Sequence, residues 1–301
     1  MARRILIVIV VLLAGIGTLA YPTISNRLAE KNGSAAIQAY DEAVRDLEQA
    51  ELDAAWKDAE EYNQNLTGQP VRDPFVENSG MAMPETYWQV LNVGGIMGYV
   101  DIPRIGVHLP IYHGTSEDVL QKGVGHLEGS TLPIGGLSRQ TVITGHTGLS
   151  HAKLFTDLLE LEEGDLFYFQ VLGRTLAYKV DQIKVVLPPD APADLQRVSD
   201  KDYATLLTCT PYSVNSHRLL IRGERIDYDP EIRDAIVPVQ GSTIDGMVRN
   251  AAVITSAVML TLIIAVVVFR RRRENRDEAA PRYGNGYLAP RVSASAARRA
   301  W

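Results

Sequence analysis

The 301-residue chain has a single cysteine, Cys209. One sulfur closes no intrachain disulfide and cannot make a cysteine-based zinc site. The residue ends an apolar run, Tyr203 to Cys209, and is followed by Thr210-Pro211-Tyr212. Taken alone, a lone cysteine in such a run reads first as a small buried hydrophobe. Its neighbourhood points to nucleophilic chemistry. A short loop, Thr210 to His217, leads into a second apolar run that opens with Arg218. Two adjacent strands joined by that loop bring Cys209 and Arg218 to one end of a sheet. A guanidinium there favours a thiolate and binds an anionic oxygen, although an arginine at a strand start is also ordinary surface chemistry. A nucleophilic thiol needs a proton carrier. Of six histidines, His146 follows the run Thr141 to Thr144 and is flanked by Gly145 and, after Thr147, Gly148. Glycines free a loop to aim a ring into a cleft. His151 is the local competitor. His217 falls on the opposite strand face from Arg218 if the strand has begun. His108, His113 and His126 read as structural or surface residues.

The elements that must position these groups are strands. From about Gly95 to Asp227, β-branched and aromatic runs alternate with turn residues: Met97–Ile102, His108–Tyr112, Thr141–Thr144, Asp165–Val171, Thr175–Leu187, Ala204–Cys209 and Leu219–Arg225. About eight short strands with few helical runs predict an all-β closed barrel or sandwich, since closure hides sheet edges. Before them, Ser34 is a candidate cap for a helix over 35–64, with Ile37, Tyr40, Val44 and Leu47 on one stripe. Between Thr67 and Pro84 the residues Gly68, Pro70, Pro74, Gly80 and Pro84 break any regular pattern. A loop of that length acts as a lid or a linker.

Apolar segments lie at both ends. Ile5 to Ala20 carries no charge and follows Arg3 and Arg4, which suits a transmembrane anchor or a signal segment. Ala251 to Phe269 is nineteen residues without a charge, followed at once by Arg270 to Arg273. Such a basic block beside a span marks the cytoplasmic side, so residues 21–250 are expected on the outer face of a cell membrane. The whole chain has 30 basic and 36 acidic residues, and residues 5–250 hold 19 of the basic against 33 of the acidic. That acidic segment argues against nucleic acid as a partner. The expected organisation is an N-terminal anchor or signal segment (1–21), an extracellular helical region (22–66), a lid loop and linker (67–92), a β-barrel catalytic domain (93–228), a linker (229–250), a transmembrane helix (251–269) and a cytoplasmic basic tail (270–301), of which 274–301 is expected to be disordered.

Thr205-Leu-Leu-Thr-Cys209, eight intervening residues and then Arg218 resemble the signature of the sortases, with Gly145-His146 upstream at a suitable distance. Further blocks resemble the pilus-assembling class C sortases: Ile102 to Val107, Leu109 to Ser116, Gly123 to Ser130 and Ala152 to Asp157. The resemblance covers about residues 70–226. It implies an eight-stranded sortase barrel and a thiol transpeptidase acting on an LPxTG-like sorting signal. Cys209 would be the nucleophile, His146 the general acid and base, and Arg218 the oxyanion and substrate ligand. The implied partners are pilin subunits with such a signal and an acceptor lysine, and no cofactor or metal is implied. Asp73-Pro74-Phe75 looks like the class C lid, in which Asp73 would pair with Arg218 while Phe75 covers Cys209. Thr147 departs from a basic residue found there in many class C members. Other readings are a housekeeping sortase that joins proteins to cell-wall peptide, a cysteine peptidase, and a membrane-tethered binding module. A papain-like order is disfavoured because His146 precedes Cys209, and the caspase cysteine signature is absent.

Overall fold

The computed structural model describes residues 2–66, 71–76, 81–239 and 243–278. The chain divides into two units, 1–243 and 244–301.

In the first unit, α1 (Ala2–Asp46) and α2 (Gln49–Asn65) precede a short α3 (Glu85–Gln89). The strands are β1 (Gly98–Ile102), β2 (Val107–His113), β3 (Val124–His126), β4 (Arg139–Thr144), β5 (Leu166–Val171), β6 (Arg174–Val186), β7 (Asp202–Thr210) and β8 (His217–Ile226). Short helices α4 (Glu117–Leu120) and α5 (Ala191–Asp194) interrupt them, and α6 (Pro230–Ala235) follows. The eight strands close in the order β1-β2-β3-β4-β7-β8-β6-β5. Closure leaves no free edge to recruit another strand. The lumen is filled by side chains, among them Phe167, Phe169 and Tyr178, whose ring centroids lie 5.4–5.7 Å apart. The all-β barrel expected from strand spacing is therefore present. Its eighth strand, β3, has only three residues, too few for an alternating pattern to register.

The helical region differs from expectation. Ser34 does not start a helix, because α1 runs unbroken from Ala2 through it. The helix passes through Pro22 and Ser34 without a break, and Gly33 brings it close to Pro110, whose Cδ lies 3.5 Å from where a Cβ would stand. The break falls instead at Leu47-Glu48, where a reciprocal Glu48/Glu51 capping box restarts the chain as α2. Gly33, Ile37, Tyr40 and Val44 form the buried stripe of α1. The Tyr40 hydroxyl donates to the Met97 carbonyl at 3.3 Å and accepts from the Leu172 amide at 2.8 Å. On α2, buried Asn63 accepts the Leu132 amide at 2.7 Å, and Trp56 lies 4.1 Å under the Arg174 guanidinium. Midway along its length α1 also meets the loop after β4: the Lys153 amide donates to Asn26 Oδ1 at 2.7 Å and Ser25 Oγ to the Ser150 carbonyl at 3.4 Å.

The region expected as a linker over 229–250 contains α6 and the start of α7 (Thr243–Glu278). Within α7, Val253–Arg272 has a mean hydropathy of 2.4 and is long and apolar enough to cross a membrane. The helix continues through the arginine block to Glu278, and the rest of the tail, 279–301, lies outside the described residues, as do 67–70 and 77–80 of the long loop.

His126 is wholly buried on β3, with Nδ1 3.0 Å from the Tyr87 hydroxyl and Nε2 2.9 Å from the Thr131 carbonyl. Burial holds its imidazole down to about 4. As pH falls from about 6.5 to about 4, the unfolded chain takes up a proton that the folded one refuses, so stability falls in that window. At ~1.4 kcal/mol per pH unit the loss is at most about 3 kcal/mol. Urea denaturation at pH 7 and pH 4.5 should show it, and His126→Gln should flatten that part of the acid slope.

Candidate active site

Three neighbouring strands bring the predicted groups into one row. β7 and β8 pair antiparallel with Cys209 opposite Arg218. β4 and β7 pair parallel, ending with Thr144 opposite Leu207. The pairing is prolonged by the Gly145 amide on the Leu207 carbonyl at 3.1 Å and the Thr208 hydroxyl on the Gly145 carbonyl at 2.7 Å. Two residues beyond Thr144 and Leu207 stand His146 and Cys209, so the parallel register carries the imidazole alongside the sulfur. Alternation then decides the face. Ala204, Leu206, Leu219 and Ile221 fill the lumen. Val142, Leu207 and Leu220 pack on the outer side with Val71, Leu195 and Phe75. Cys209 and Arg218 share parity with that second set, so the reactive groups lie on the outer wall at a barrel end, beneath the segment 71–76.

That segment is held by charge. Arg218 Nε donates to Asp73 Oδ1 and Oδ2 at 3.0 and 2.8 Å, and both side chains are about 5% exposed or less. Arg218 Nη1 also donates to the Asn215 and His217 carbonyls, each at 3.2 Å. The Phe75 amide donates back to Asp73 Oδ1 at 3.0 Å, which closes a turn around Pro74. This aims the Phe75 ring between two site residues, 5.5 Å from the His146 ring and 5.2 Å from the Arg218 guanidinium carbon. The Asp73–Arg218 contact implied by the family resemblance is thus present, and the ring contacts of Phe75 are with His146 and Arg218.

Cys209 is buried, and burial pushes its thiol up to about 11; the guanidinium of Arg218 pulls it down and the carboxylate of Asp73 pushes it up again. At neutral pH the sulfur in this closed arrangement is a thiol. Around it lies a cleft of about 710 Å³ shared by Cys209, His146, Arg218, Pro74 and Phe75. The same cleft is lined by residues that sequence reasoning did not single out, chiefly Trp88, Glu117 and Glu128. Glu117 opens α4, and its Oε2 lies 3.3 Å from His146 Nε2. A serine followed by acidic residues, Ser116-Glu117-Asp118, is a helix-start signal that could have placed it. Nothing local could have placed it against His146, 29 residues away. His151 is partly exposed, and His217 begins β8 with its ring on Ser216. His108 faces Asp101 at 3.7 Å. His113 is buried, with Nε2 2.8 Å from the Val90 carbonyl.

A thiol, an imidazole and a guanidinium on one cleft constitute the equipment for acyl transfer through sulfur. The sequence matches the sortase domain over residues 100–226. It is 31% identical over 153 residues to sortase D of Bacillus subtilis strain 168, covering 50% of this chain and 70% of that one. Among solved structures it is similar to sortase C of Streptococcus pneumoniae, with TM-score 0.61, 48% identity, and coverage of 64% of this chain and 96% of that one. It is likewise similar to sortase C1 of pilus island 1 of group B Streptococcus, with TM-score 0.60, 46% identity, and coverage of 66% and 94%. The chain belongs to the sortase family in its class C form, and is therefore a cysteine transpeptidase. Membership implies protein substrates bearing an LPxTG-type signal.

Opening the segment should remove both the desolvation and the carboxylate that keep the thiol protonated. In Asp73→Ala/Phe75→Ala, alkylation of Cys209 by iodoacetamide at about pH 7.5 should speed up at least ~10-fold, one pKa unit being tenfold in thiolate. Its pH midpoint should fall below that of the parent. Adding Arg218→Gln should move the midpoint back up.

Proposed function

We propose that this enzyme polymerises pilin subunits, with residues 71–76 acting as a lid over its thiol. Once the lid swings away, the LPxTG-like signal of one subunit binds along the uncovered outer wall. The Cys209 thiol passes its proton to His146, its sulfur attacks the threonine carbonyl carbon, and the oxyanion that forms takes the place of Asp73 on Arg218. His146 gives a proton to the departing glycine amine as the Thr–Gly bond breaks. A thioester then links the threonine to Cys209. In the second half, a lysine amine of the next subunit attacks that carbonyl. His146 takes a proton from the amine and returns it to the sulfur as the C–S bond breaks, leaving a Thr–Lys isopeptide. In this reading α7 anchors the enzyme in the membrane, and the barrel works on the outer face.

The observation that carries this reading is the occupied guanidinium. A carboxylate from the chain itself sits on Arg218 where a substrate oxygen would sit, and Arg218 pairs across β7–β8 with the chain's single cysteine. The similarity to pilus-related sortase C structures supports a pilin as the acceptor.

Incubation of the enzyme, with and without Asp73→Ala/Phe75→Ala, with a sorting-signal peptide and a candidate pilin should yield a thioester on Cys209 and a Thr–Lys isopeptide, both visible by mass spectrometry. Cys209→Ala should abolish both. Arg218→Ala should slow thioester formation by ~10²–10³, the usual cost of one oxyanion donor. A product joined to a cell-wall peptide amine in preference to pilin would instead identify a housekeeping sortase.

A further inference from the structure

The sulfur, imidazole and guanidinium account for the first half of the reaction but leave open how a lysine, rather than water, reaches the thioester. The acceptor arrives as an ammonium ion and must come within hydrogen-bond reach of His146. The approach on the Arg218 side is closed to it by charge. The lid side, covered by the Phe75 ring at rest, is taken by the sorting signal once the lid has opened. On the remaining side His146 faces a carboxylate: Glu117 Oε2 lies 3.3 Å from Nε2, while Gln121 donates to Oε1 from one helical turn on. Those contacts hold Glu117 ionised, below the usual carboxylate range, with the Gln121 bond the larger cause and His146 the smaller. The Glu117 side chain is still 69% exposed, so it faces incoming solutes. Deeper in the same cleft Glu128 is buried, with both oxygens engaged by the Thr115 amide and hydroxyl at 3.1 and 2.7 Å. On the rim, Trp88 is partly exposed and braced edge-on by Tyr87 at 5.0 Å. Gly114 lets these groups converge: a Cβ there would stand 3.1 Å from both Trp88 and Glu128.

We propose that Glu117 is the docking group for the acceptor ammonium, with the lysine stem lying along the Trp88 ring, so that the amine is delivered beside His146. This rests on the transpeptidase reading above. The apolar stem matches an aromatic face, and the cationic tip matches an exposed carboxylate next to the base that must deprotonate it. The ammonium releases one proton to water to become the amine. The nitrogen then attacks the thioester carbonyl, His146 takes a second proton, the C–S bond breaks, and that proton returns to sulfur.

The test compares two acceptors in the lid-opened Asp73→Ala/Phe75→Ala background at about pH 7.5 and saturating signal peptide. One is a lysine-bearing peptide, cationic at that pH. The other is hydroxylamine, which is neutral. In Glu117→Gln the ratio of kcat/KM for the lysine peptide to that for hydroxylamine should fall about tenfold, carried by KM of the lysine peptide, as loss of one charge-assisted contact gives. Glu117→Lys should lower the ratio further. If Glu117 only orients His146, both acceptors slow by the same factor and the ratio stays put, which overturns the proposal. Mass spectrometry of the parent checks the reading beneath it. No thioester on Cys209 defeats both, whereas a thioester with an unchanged ratio defeats the docking role alone.

Discussion

The buried pair between Arg218 and Asp73 organises this site. A guanidinium this deep cannot be left without a counter-charge, because stripping one partner from a buried pair costs about 3–5 kcal/mol. Arg218 is buried opposite Cys209, so its charge must be met from within the chain. The chain supplies a carboxylate of its own, and the two residues after it, a proline and a phenylalanine, turn the peptide back over the cleft. The placement of residues 73–75 over the cleft thus answers an electrostatic demand made by the buried guanidinium. The same closure keeps the sulfur protonated, since desolvation of Cys209 outweighs the pull of the adjacent guanidinium. Burial of the cysteine and neutralisation of the arginine go together at this end of the barrel.

The barrel's part is to bring three distant residues together without relying on a flexible loop for each. One antiparallel pairing sets sulfur against guanidinium, and one parallel pairing sets imidazole beside sulfur. Both depend on β7, which has buried residues on either face. A slip of one residue in β7 would turn Cys209 inward and present Thr208 or Thr210 to the cleft. Register is therefore enforced twice, by luminal packing through Leu206 and by the outer cluster through Leu207.

Much of this was legible from residue spacing. Cys209 and Arg218 end and begin two apolar runs separated by a short loop, and a hairpin sets them opposite one another. His146 was marked by the glycines around it. The fold class followed from strand-length apolar runs separated by turns. What spacing could not reveal were contacts between segments far apart in the chain. Asp73 meets Arg218 across 145 residues, and only family resemblance pointed to it. Glu117 was overlooked because an exposed glutamate at a helix start is unremarkable until a histidine 29 residues on is folded against it. β3 escaped notice because three residues carry too little pattern. The start of α1 was misplaced because Ser34 looks like a cap and Pro22, Asn32 and Gly33 look like breakers, while packing of the Gly33–Ile37–Tyr40–Val44 stripe on the barrel holds the helix through them.

The unbroken course of α1 has a mechanical consequence. The helix emerges from the N-terminal apolar run and within a few residues bonds to Ser150 and Lys153, in the stretch that follows His146. That stretch is tied back to the histidine through the Phe155 amide on the His146 carbonyl at 3.1 Å. A displacement of α1 about Ser25 and Asn26 is therefore shared with the backbone that carries the His146 ring.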